Sequence, residues 1–300
     1  MIKTNSLHAW WLAFRPKTLT GAAAPVIMAL SASYGIYGQI DWIPALLCMF
    51  FALLMQTDAN LINDYYDCIH KIDTEERLGP ERACSQGWIT LPAMRLGIGI
   101  TTAIACLCGL PLIAWGGWEC ILVGVACVVF CFLYTTLFSR VAMGDLLVLM
   151  FFGIIPVSYT FFFQSQHASI LDIPASIWLL AIAQGLVTDC LLLVNNFRDR
   201  DTDASVGKST LVNIIGERSA LILYGAIGII SVILALCAVS LSTAHHSPFV
   251  LLPALFLPIH LRNLNQLRII NHGKALNRVL GMTAMSIFIF AILVSLAMIL

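Results

Sequence analysis

Nine apolar runs dominate the sequence, and most of them are long enough to cross a membrane as a helix. About 30 Å of hydrocarbon requires roughly 20 helical residues. With 60% hydrophobic and only 11% charged residues, a soluble core could not hold this much apolar surface. The runs predict an all-α integral membrane protein with nine transmembrane helices, forming one domain over residues 1–300. The predicted spans are 19–37, 42–62, 96–115, 120–137, 146–163, 177–194, 221–241, 248–261 and 280–300.

Two of these runs carry signals besides their hydropathy. The eighth is short and contains Pro253 and Pro258, so we expect a broken or tilted helix there. The first follows Arg15-Pro16-Lys17 without a clear small-residue cleavage site, so we expect a retained helix rather than a signal peptide.

Basic residues occur on only one side of the membrane in this nine-helix arrangement. All 16 lie before the first run or after the even-numbered runs. They are Lys3, Arg15, Lys17, Lys71, Arg77, Arg82, Arg95, Arg140, Arg198, Arg200, Lys208, Arg218, Arg262, Arg268, Lys274 and Arg278. By the positive-inside rule, we expect a cytoplasmic (inner) membrane protein with a cytoplasmic N-terminus and a C-terminus on the opposite side.

The ten cysteines do not predict disulfides or a zinc site. Eight of them fall in or beside apolar runs, where a thiol behaves as a small hydrophobe. Cys68 and Cys84 lie on the reducing cytoplasmic side, and no Cys-x-x-Cys pair accompanies them. We therefore expect free thiols.

Two polar blocks interrupt the apolar pattern at the predicted cytoplasmic ends of helices two and six. The first contains Asn60, Asn63, Asp64 and Asp67 and continues to Arg77 and Arg82; the second contains Asn195, Asn196, Arg198, Asp199 and Asp203 and is followed by Lys208. If each block continues its helix, Asn60, Asp64 and Asp67 share one face. Asn195, Asp199 and Asp203 would do the same on the second helix, so each helix end presents a strip of oxygen ligands.

Gathered carboxylates repel one another, which indicates that a cation binds between the strips. Mg²⁺ takes oxygen ligands and is typically held by one or two carboxylates together with substrate phosphates. The neighbouring bases Arg77, Arg82, Arg198 and Lys208 would complete a diphosphate site. The alternative is a solvated cytoplasmic face, but two blocks with matched spacing, each followed by basic residues, favour the binding site.

Both blocks resemble the paired Asp-rich motifs of the UbiA superfamily of intramembrane prenyltransferases. The resemblance extends to residues 13–19, to the stretch from Asp73 to Arg82, to residues 203–211 and to Leu276-Asn277. Two details depart from the family pattern: no proline follows Thr136, and Gly144-Asp145 stands in place of Gly-Glu. Asp58 and Asp189 are additional acids, which we interpret as facing water near the helix ends.

The resemblance implies a helical bundle with a central cavity, a cytoplasmic cap and an opening to the lipid bilayer. It also implies Mg²⁺-dependent transfer of a polyprenyl group from polyprenyl diphosphate to 1,4-dihydroxy-2-naphthoate, releasing pyrophosphate and CO₂. Other members use 4-hydroxybenzoate, homogentisate or haem as acceptor, and these stay open as alternatives. No nucleic-acid partner is expected.

Carried onto this sequence, the resemblance implies specific roles for the polar residues. The implied metal ligands are Asn60, Asp64, Asp67, Asn195, Asp199 and Asp203, whose carboxylates also act in catalysis. The implied substrate-binding residues are Arg15, Asn60, Asn63, Arg77, Arg82, Asn195, Asn196, Arg198 and Lys208. Tyr134 would stabilise the prenyl cation or anchor its helix at the interface, and Arg15 would bind the acceptor carboxylate or serve as an anchor.

Two functions of other classes compete with this interpretation. A cation or proton-coupled transporter would carry functional charges near the bilayer midplane, whereas these charges cluster at one interface. A purely structural membrane subunit would need neither acidic block.

Overall fold

The computed structural model describes residues 2–70, 78–138, 142–165, 168–205, 207–242 and 248–300. The regular elements in these ranges are helical. The α-helices are α1 (Leu7–Phe14), α2 (Pro16–Tyr37), α3 (Trp42–Ile69), α4 (Leu91–Gly109), α5 (Ile113–Gly116), α6 (Glu119–Thr136), α7 (Gly144–Leu149), α8 (Ile155–Gln164), α9 (Ala175–Ser205), α10 (Leu211–Ser242), α11 (Phe256–Ile270) and α12 (Leu276–Ile299).

Eight helices in the described ranges are long and apolar enough to cross a membrane. Two of these spans are composite. A 3₁₀ turn, Leu110–Leu112, joins α4 to α5, and a π-helical segment, Met150–Ile154, joins α7 to α8. The expectation of an all-α membrane protein is confirmed, and eight of the nine predicted runs coincide with these helices.

The remaining predicted run, 248–261, does not form one apolar α-helix. It begins as a 3₁₀ helix, Pro248–Leu255, and continues as α11. Proline lacks the backbone N–H that a helix interior needs and tolerates the first turn best, so Pro253 falls in the 3₁₀ segment and Pro258 in the first turn of α11.

Both polar blocks continue the α-helix that carries them, as predicted. Helix α3 runs 28 residues to Ile69, and α9 runs 31 residues to Ser205. After α9, Gly207 takes a left-handed conformation with φ of 72°, which only glycine adopts at little cost. This turn lets the N–H of Lys208 bond to the carbonyl oxygen of Asp203 at 2.9 Å, so the chain folds back over the helix end.

Two glycines bring the π-helical segment against α9. A Cβ atom on Gly153 would lie 2.4 Å from the carbonyl oxygen of Ala181, and one on Gly185 would lie 2.8 Å from that of Leu149. Larger residues would push the helices apart, as at other membrane helix crossings built from small residues. The contact holds the end of α7 and the π-helical segment against the first half of α9.

A separate layer covers one end of the α3–α4 pair. Helix α1 and the segment 83–89 share an apolar cluster with α3 and α4 that includes Ala9, Leu61, Ile89 and Met94. The backbone N–H of Asn5 donates to the carbonyl oxygen of Trp88 at 2.8 Å, which joins the N-terminus to this segment. The layer therefore carries α1 and Arg82 to the same end of the bundle as the polar block of α3.

Candidate active site

A cavity of about 1830 Å³ lies among α2, α3, α6, the α7–α8 span and α9. Much of its wall is apolar, including Phe51, Val125, Phe130, Phe151 and Phe163. The polar ends of α3 and α9 line the same cavity, together with the α1–α2 junction and segment 78–82. One space thus joins an apolar chamber to a charged end.

Most of the predicted site residues line this cavity. They are Arg15, Asn60, Asn63, Asp67, Arg82, Tyr134, Asn195, Asn196, Arg198, Asp199, Asp203 and Lys208. Two predicted residues are not among them: Asp64 is turned away, and Arg77 lies outside the described residues, as does the motif residue Asp73.

Asp64 holds the segment after α3 instead of lining the cavity. Its two carboxylate oxygens accept the backbone N–H groups of Ala83 and Cys84 at 2.8 and 2.9 Å, and the residue is 1% exposed. The predicted strip of three ligands on α3 is wrong at Asp64, which lies against the backbone of Ala83 and Cys84, whereas Asp67, offset by about 60° around the helix, lines the cavity. That rotation directs Asp64 to the backbone and Asp67 to the cavity.

The neighbouring thiol stays uncharged beside Asp64. Burial, followed by the negative charge of Asp64, raises the pKa of Cys84 to about 12. All ten cysteines are free, as expected from the sequence.

Arg82 pairs with Asp67 and keeps two donors for another partner. Its Nη2 lies 2.7 Å from Oδ2 of Asp67. Its Nε and Nη1 are buried without a hydrogen-bond partner among the residues that the structure describes. A buried guanidinium N–H without a partner is costly, so these two groups point to an anionic ligand with several oxygens.

Arg198 is the centre of a second hydrogen-bond network. Its Nε donates to Oδ1 of Asp199 at 2.8 Å, and its Nη2 donates to Oδ1 of Asn195 at 2.8 Å and to Oδ2 of Asp199 at 2.5 Å. Its Nη1 donates to Oδ1 of Asn277 at 2.7 Å. The bidentate bond to Asp199 fixes both side chains at the cavity edge.

The end of α9 holds a third pair of opposite charges. Nζ of Lys208 lies 3.2 Å from both carboxylate oxygens of Asp203. The turn at Gly207 places Lys208 beside Asp203. The five-residue spacing between these two residues of the second block therefore allows the pair to form.

Asn60 and Asn63 connect α3 to neighbouring elements. The amide of Asn60 donates to the carbonyl oxygen of Phe14 at 3.0 Å and to Oγ1 of Thr18 at 2.9 Å. Oδ1 of Asn63 accepts a hydrogen bond from Thr135 at 2.6 Å. Asn60 therefore fixes the α1–α2 junction, where Arg15 adopts a left-handed conformation with φ of 51°.

Comparison with known protein families shows to which family the chain is related. The UbiA prenyltransferase family matches residues 22–292 of the chain. The chain belongs to the UbiA prenyltransferase family. Its membrane character and its helical architecture agree with that membership.

Curated relatives of this UbiA family protein include two bacterial enzymes. The 1,4-dihydroxy-2-naphthoate octaprenyltransferase of Escherichia coli (strain K12) is 34% identical over 222 residues, covering 71% of this chain and 70% of the relative. The enzyme of the same name from Mycobacterium tuberculosis (strain ATCC 25618 / H37Rv) is 27% identical over 297 residues, covering 97% and 96%.

A solved structure shares the fold of this UbiA family protein. A UbiA homolog from Archaeoglobus fulgidus bound to DMAPP and Mg²⁺ superposes with a TM-score of 0.62. It is 14% identical, and the match covers 95% of this chain and 99% of that one.

The donor set of this UbiA family protein suits Mg²⁺ in combination with phosphate oxygens. Asp67, Asp199 and Asp203 offer carboxylates, and Asn60 and Asn195 offer amide oxygens. Within the described ranges, no three acidic, histidine or cysteine side chains converge as a metal-binding group. One or two carboxylates per ion, with substrate oxygens completing the shell, match the usual habit of Mg²⁺.

Several cavity residues of this UbiA family protein were not predicted as site residues from the sequence. Gln56, Thr135, Asp145 and Thr188 line the cavity, and Asn277 bonds to Arg198 from outside it. The Gly144-Asp145 departure and the Leu276-Asn277 motif marked two of these positions. Asp58 and Asp189 are 0% and 5% exposed, so the interpretation that they face water is wrong for both.

Proposed function

We propose that this protein is a Mg²⁺-dependent prenyltransferase that transfers a polyprenyl group from polyprenyl diphosphate to 1,4-dihydroxy-2-naphthoate. The products would be demethylmenaquinol, pyrophosphate and CO₂. The observation that carries the proposal is one cavity in which a long apolar wall leads to two acidic helix ends with paired bases. The names of the two bacterial relatives support the choice of acceptor.

The charged end would bind the diphosphate. Arg82 offers two buried N–H groups, and Lys208 and Arg198 add positive charge from the other side. Asp67, Asp199 and Asp203, with Asn60 and Asn195, would hold Mg²⁺, which neutralises the charge that develops on the departing pyrophosphate. Asp64 would act indirectly by fixing the segment that carries Arg82.

The apolar wall would hold the prenyl tail and keep water from the reacting carbon. Departure of pyrophosphate leaves an allylic cation, which the electron-rich naphthoate ring attacks at the carbon that bears the carboxylate. Loss of CO₂ then restores the aromatic ring. The ring of Tyr134 lines the cavity and would stabilise the cation, and Arg15 would bind the acceptor carboxylate.

The membrane arrangement is part of the proposal. The 3₁₀ helix and α11 together would extend roughly 38 Å if they are collinear, which exceeds the hydrocarbon thickness. We therefore take residues 248–270 as a ninth span, with the N-terminus and both acidic blocks cytoplasmic. The layer formed by α1 and segment 83–89 would be the cytoplasmic cap of a single domain over residues 1–300.

The first experiment measures transfer of radiolabelled polyprenyl diphosphate by purified protein in detergent, with and without Mg²⁺. Two acceptors, 1,4-dihydroxy-2-naphthoate and 4-hydroxybenzoate, are compared. We expect product with the naphthoate only, and only with Mg²⁺. Product with 4-hydroxybenzoate would support the same class of reaction with a different acceptor.

Folded protein that gives no product with either acceptor would contradict the proposal and favour a transporter. Asp199→Asn should then be compared with Asp172→Asn, an exposed acid outside the cavity lining. If the protein were only a structural subunit, neither substitution would change its function.

A further inference from the structure

Three polar side chains from three different helices meet beside the cavity, away from the diphosphate end. Tyr134 of α6 and Asp145 of α7 line the cavity, and Asp189 of α9 is buried and does not line it. Asp145 and Asp189 are close enough for direct electrostatic interaction, and both act on Tyr134.

Both carboxyl groups keep an oxygen available. Oδ1 of Asp145 and Oδ1 of Asp189 are buried, and neither has a hydrogen-bond partner among the described residues. Asp189 as a whole is only 5% exposed. Buried oxygens without donors are rare, and two of them on interacting acids indicate that these acids bind a proton or a hydroxyl group.

Close helix packing creates this juxtaposition. A Cβ atom on Gly144 would lie 3.2 Å from Leu192 and 3.7 Å from the ring of Tyr134, so the start of α7 rests directly on α9 and α6. The contact between Gly153 and Gly185 holds the same pair of helices together further along. The carboxyl pair is therefore a fixed feature of the packing.

The pair is too far from the acidic block of α9 to share its metal ion. Asp189 precedes Asp199 by ten residues, or roughly 15 Å along the helix. Asp189 lies instead about 9 Å below Asn195, beside the cavity-lining Thr188 and Leu192. An aromatic ring that attacks the first carbon of the prenyl chain would occupy this level, between the diphosphate and the apolar wall.

We propose that Asp145 is the base that takes the hydroxyl proton of the aromatic acceptor, with Asp189 as its positioning partner. The proposal deepens the proposed function and rests on it. Two carboxylates in apolar surroundings repel each other, and a proton on the pair relieves that repulsion. Asp189 would accept the hydrogen bond that protonated Asp145 donates.

The step is balanced in atoms and electrons. As the bond from the ring carbon to the allylic carbon forms, the acceptor O–H bond breaks and its proton moves to Asp145, leaving a carbonyl on the ring. The C–CO₂ bond then breaks, and its electron pair returns to the ring. The carbonyl oxygen takes the proton back from Asp145, so the base is regenerated and no oxidant or reductant is needed.

The test separates acceptor chemistry from diphosphate binding. Asp145→Asn, Asp189→Asn and Asp145→Glu are compared with Asp58→Asn. Asp58 is a suitable control because it is also membrane-buried with an oxygen that lacks a partner, but it does not line the cavity. For each variant we measure transfer to 1,4-dihydroxy-2-naphthoate and binding of a non-ionising polyprenyl thiolodiphosphate with Mg²⁺.

We expect Asp145→Asn to lower transfer by about 100-fold or more while analogue binding changes less than about threefold. Asp189→Asn should also lower transfer. Asp145→Glu should retain much of the transfer activity, and Asp58→Asn should transfer at nearly the wild-type rate. Wild-type transfer by Asp145→Asn, equal loss in Asp58→Asn, or loss of analogue binding together with transfer would overturn the proposal. Failure of the wild-type protein to use the naphthoate would instead refute the proposed function on which it rests.

Discussion

Asn277 holds Arg198 in place by accepting a hydrogen bond from its Nη1 at 2.7 Å. The other end of the same amide donates to the carbonyl oxygen of Leu78, also at 2.7 Å. One side chain at the start of α12 therefore connects the acidic block of α9 to the segment that follows α3. The two halves of the candidate site are aligned by a residue that does not line the cavity.

Replacing Asn277 with alanine should misalign these halves. Arg198 would lose a hydrogen bond worth about 1.5–3 kcal/mol, so we expect prenyl transfer to fall about 10- to 100-fold. Steady-state kinetics on Asn277→Ala measures this, with the exposed Asn265→Ala of α11 as control. Equal activity in the two variants would contradict the positioning role.

Arg82 should govern affinity for the diphosphate. Its two buried N–H groups without partners would bond to phosphate oxygens, so Arg82→Gln should raise KM for polyprenyl diphosphate at least about tenfold. The control is Arg95→Gln, which changes an exposed arginine of α4. A KM for Arg82→Gln that matches the control would show that the guanidinium does not bind the substrate.

Removal of divalent cations should abolish transfer, and added Mg²⁺ should restore it. Because Asp199 and Asp203 line the cavity beside Arg198 and Lys208, we expect Asp199→Asn to need a higher Mg²⁺ concentration for half-maximal activity. A titration of activity with Mg²⁺ compares this variant with wild type and with Asp172→Asn. An unchanged Mg²⁺ requirement would exclude Asp199 as a ligand.

Asp64 should act on stability and not on metal affinity. Asp64→Asn replaces one accepting oxygen with an NH₂ group that faces a buried backbone N–H, which costs about 3 kcal/mol. We expect a lower Tm in detergent and an unchanged Mg²⁺ requirement in the protein that stays folded. A raised Mg²⁺ requirement at unchanged Tm would instead restore Asp64 to the metal site.

The sequence determined the class of the protein and the composition of its charged end. Eight predicted spans and the helical continuation of both polar blocks followed from hydropathy and spacing, which are local properties of the chain. The same spacing placed Asp199 and Asp203 on one cavity-facing side of α9.

Only the tertiary structure decided which side chains face the cavity and which partners they meet. An offset of about 60° around the helix separates Asp64 from Asp67. The sequence does not show which of these two side chains faces the segment that follows α3 and which faces the cavity. The meeting of Asp145 with Asp189, like the bond from Asn277 to Arg198, joins helices far apart in the chain. Helical periodicity fixes the angles between residues on one helix, whereas the rotation of each helix about its axis is set by packing against the others.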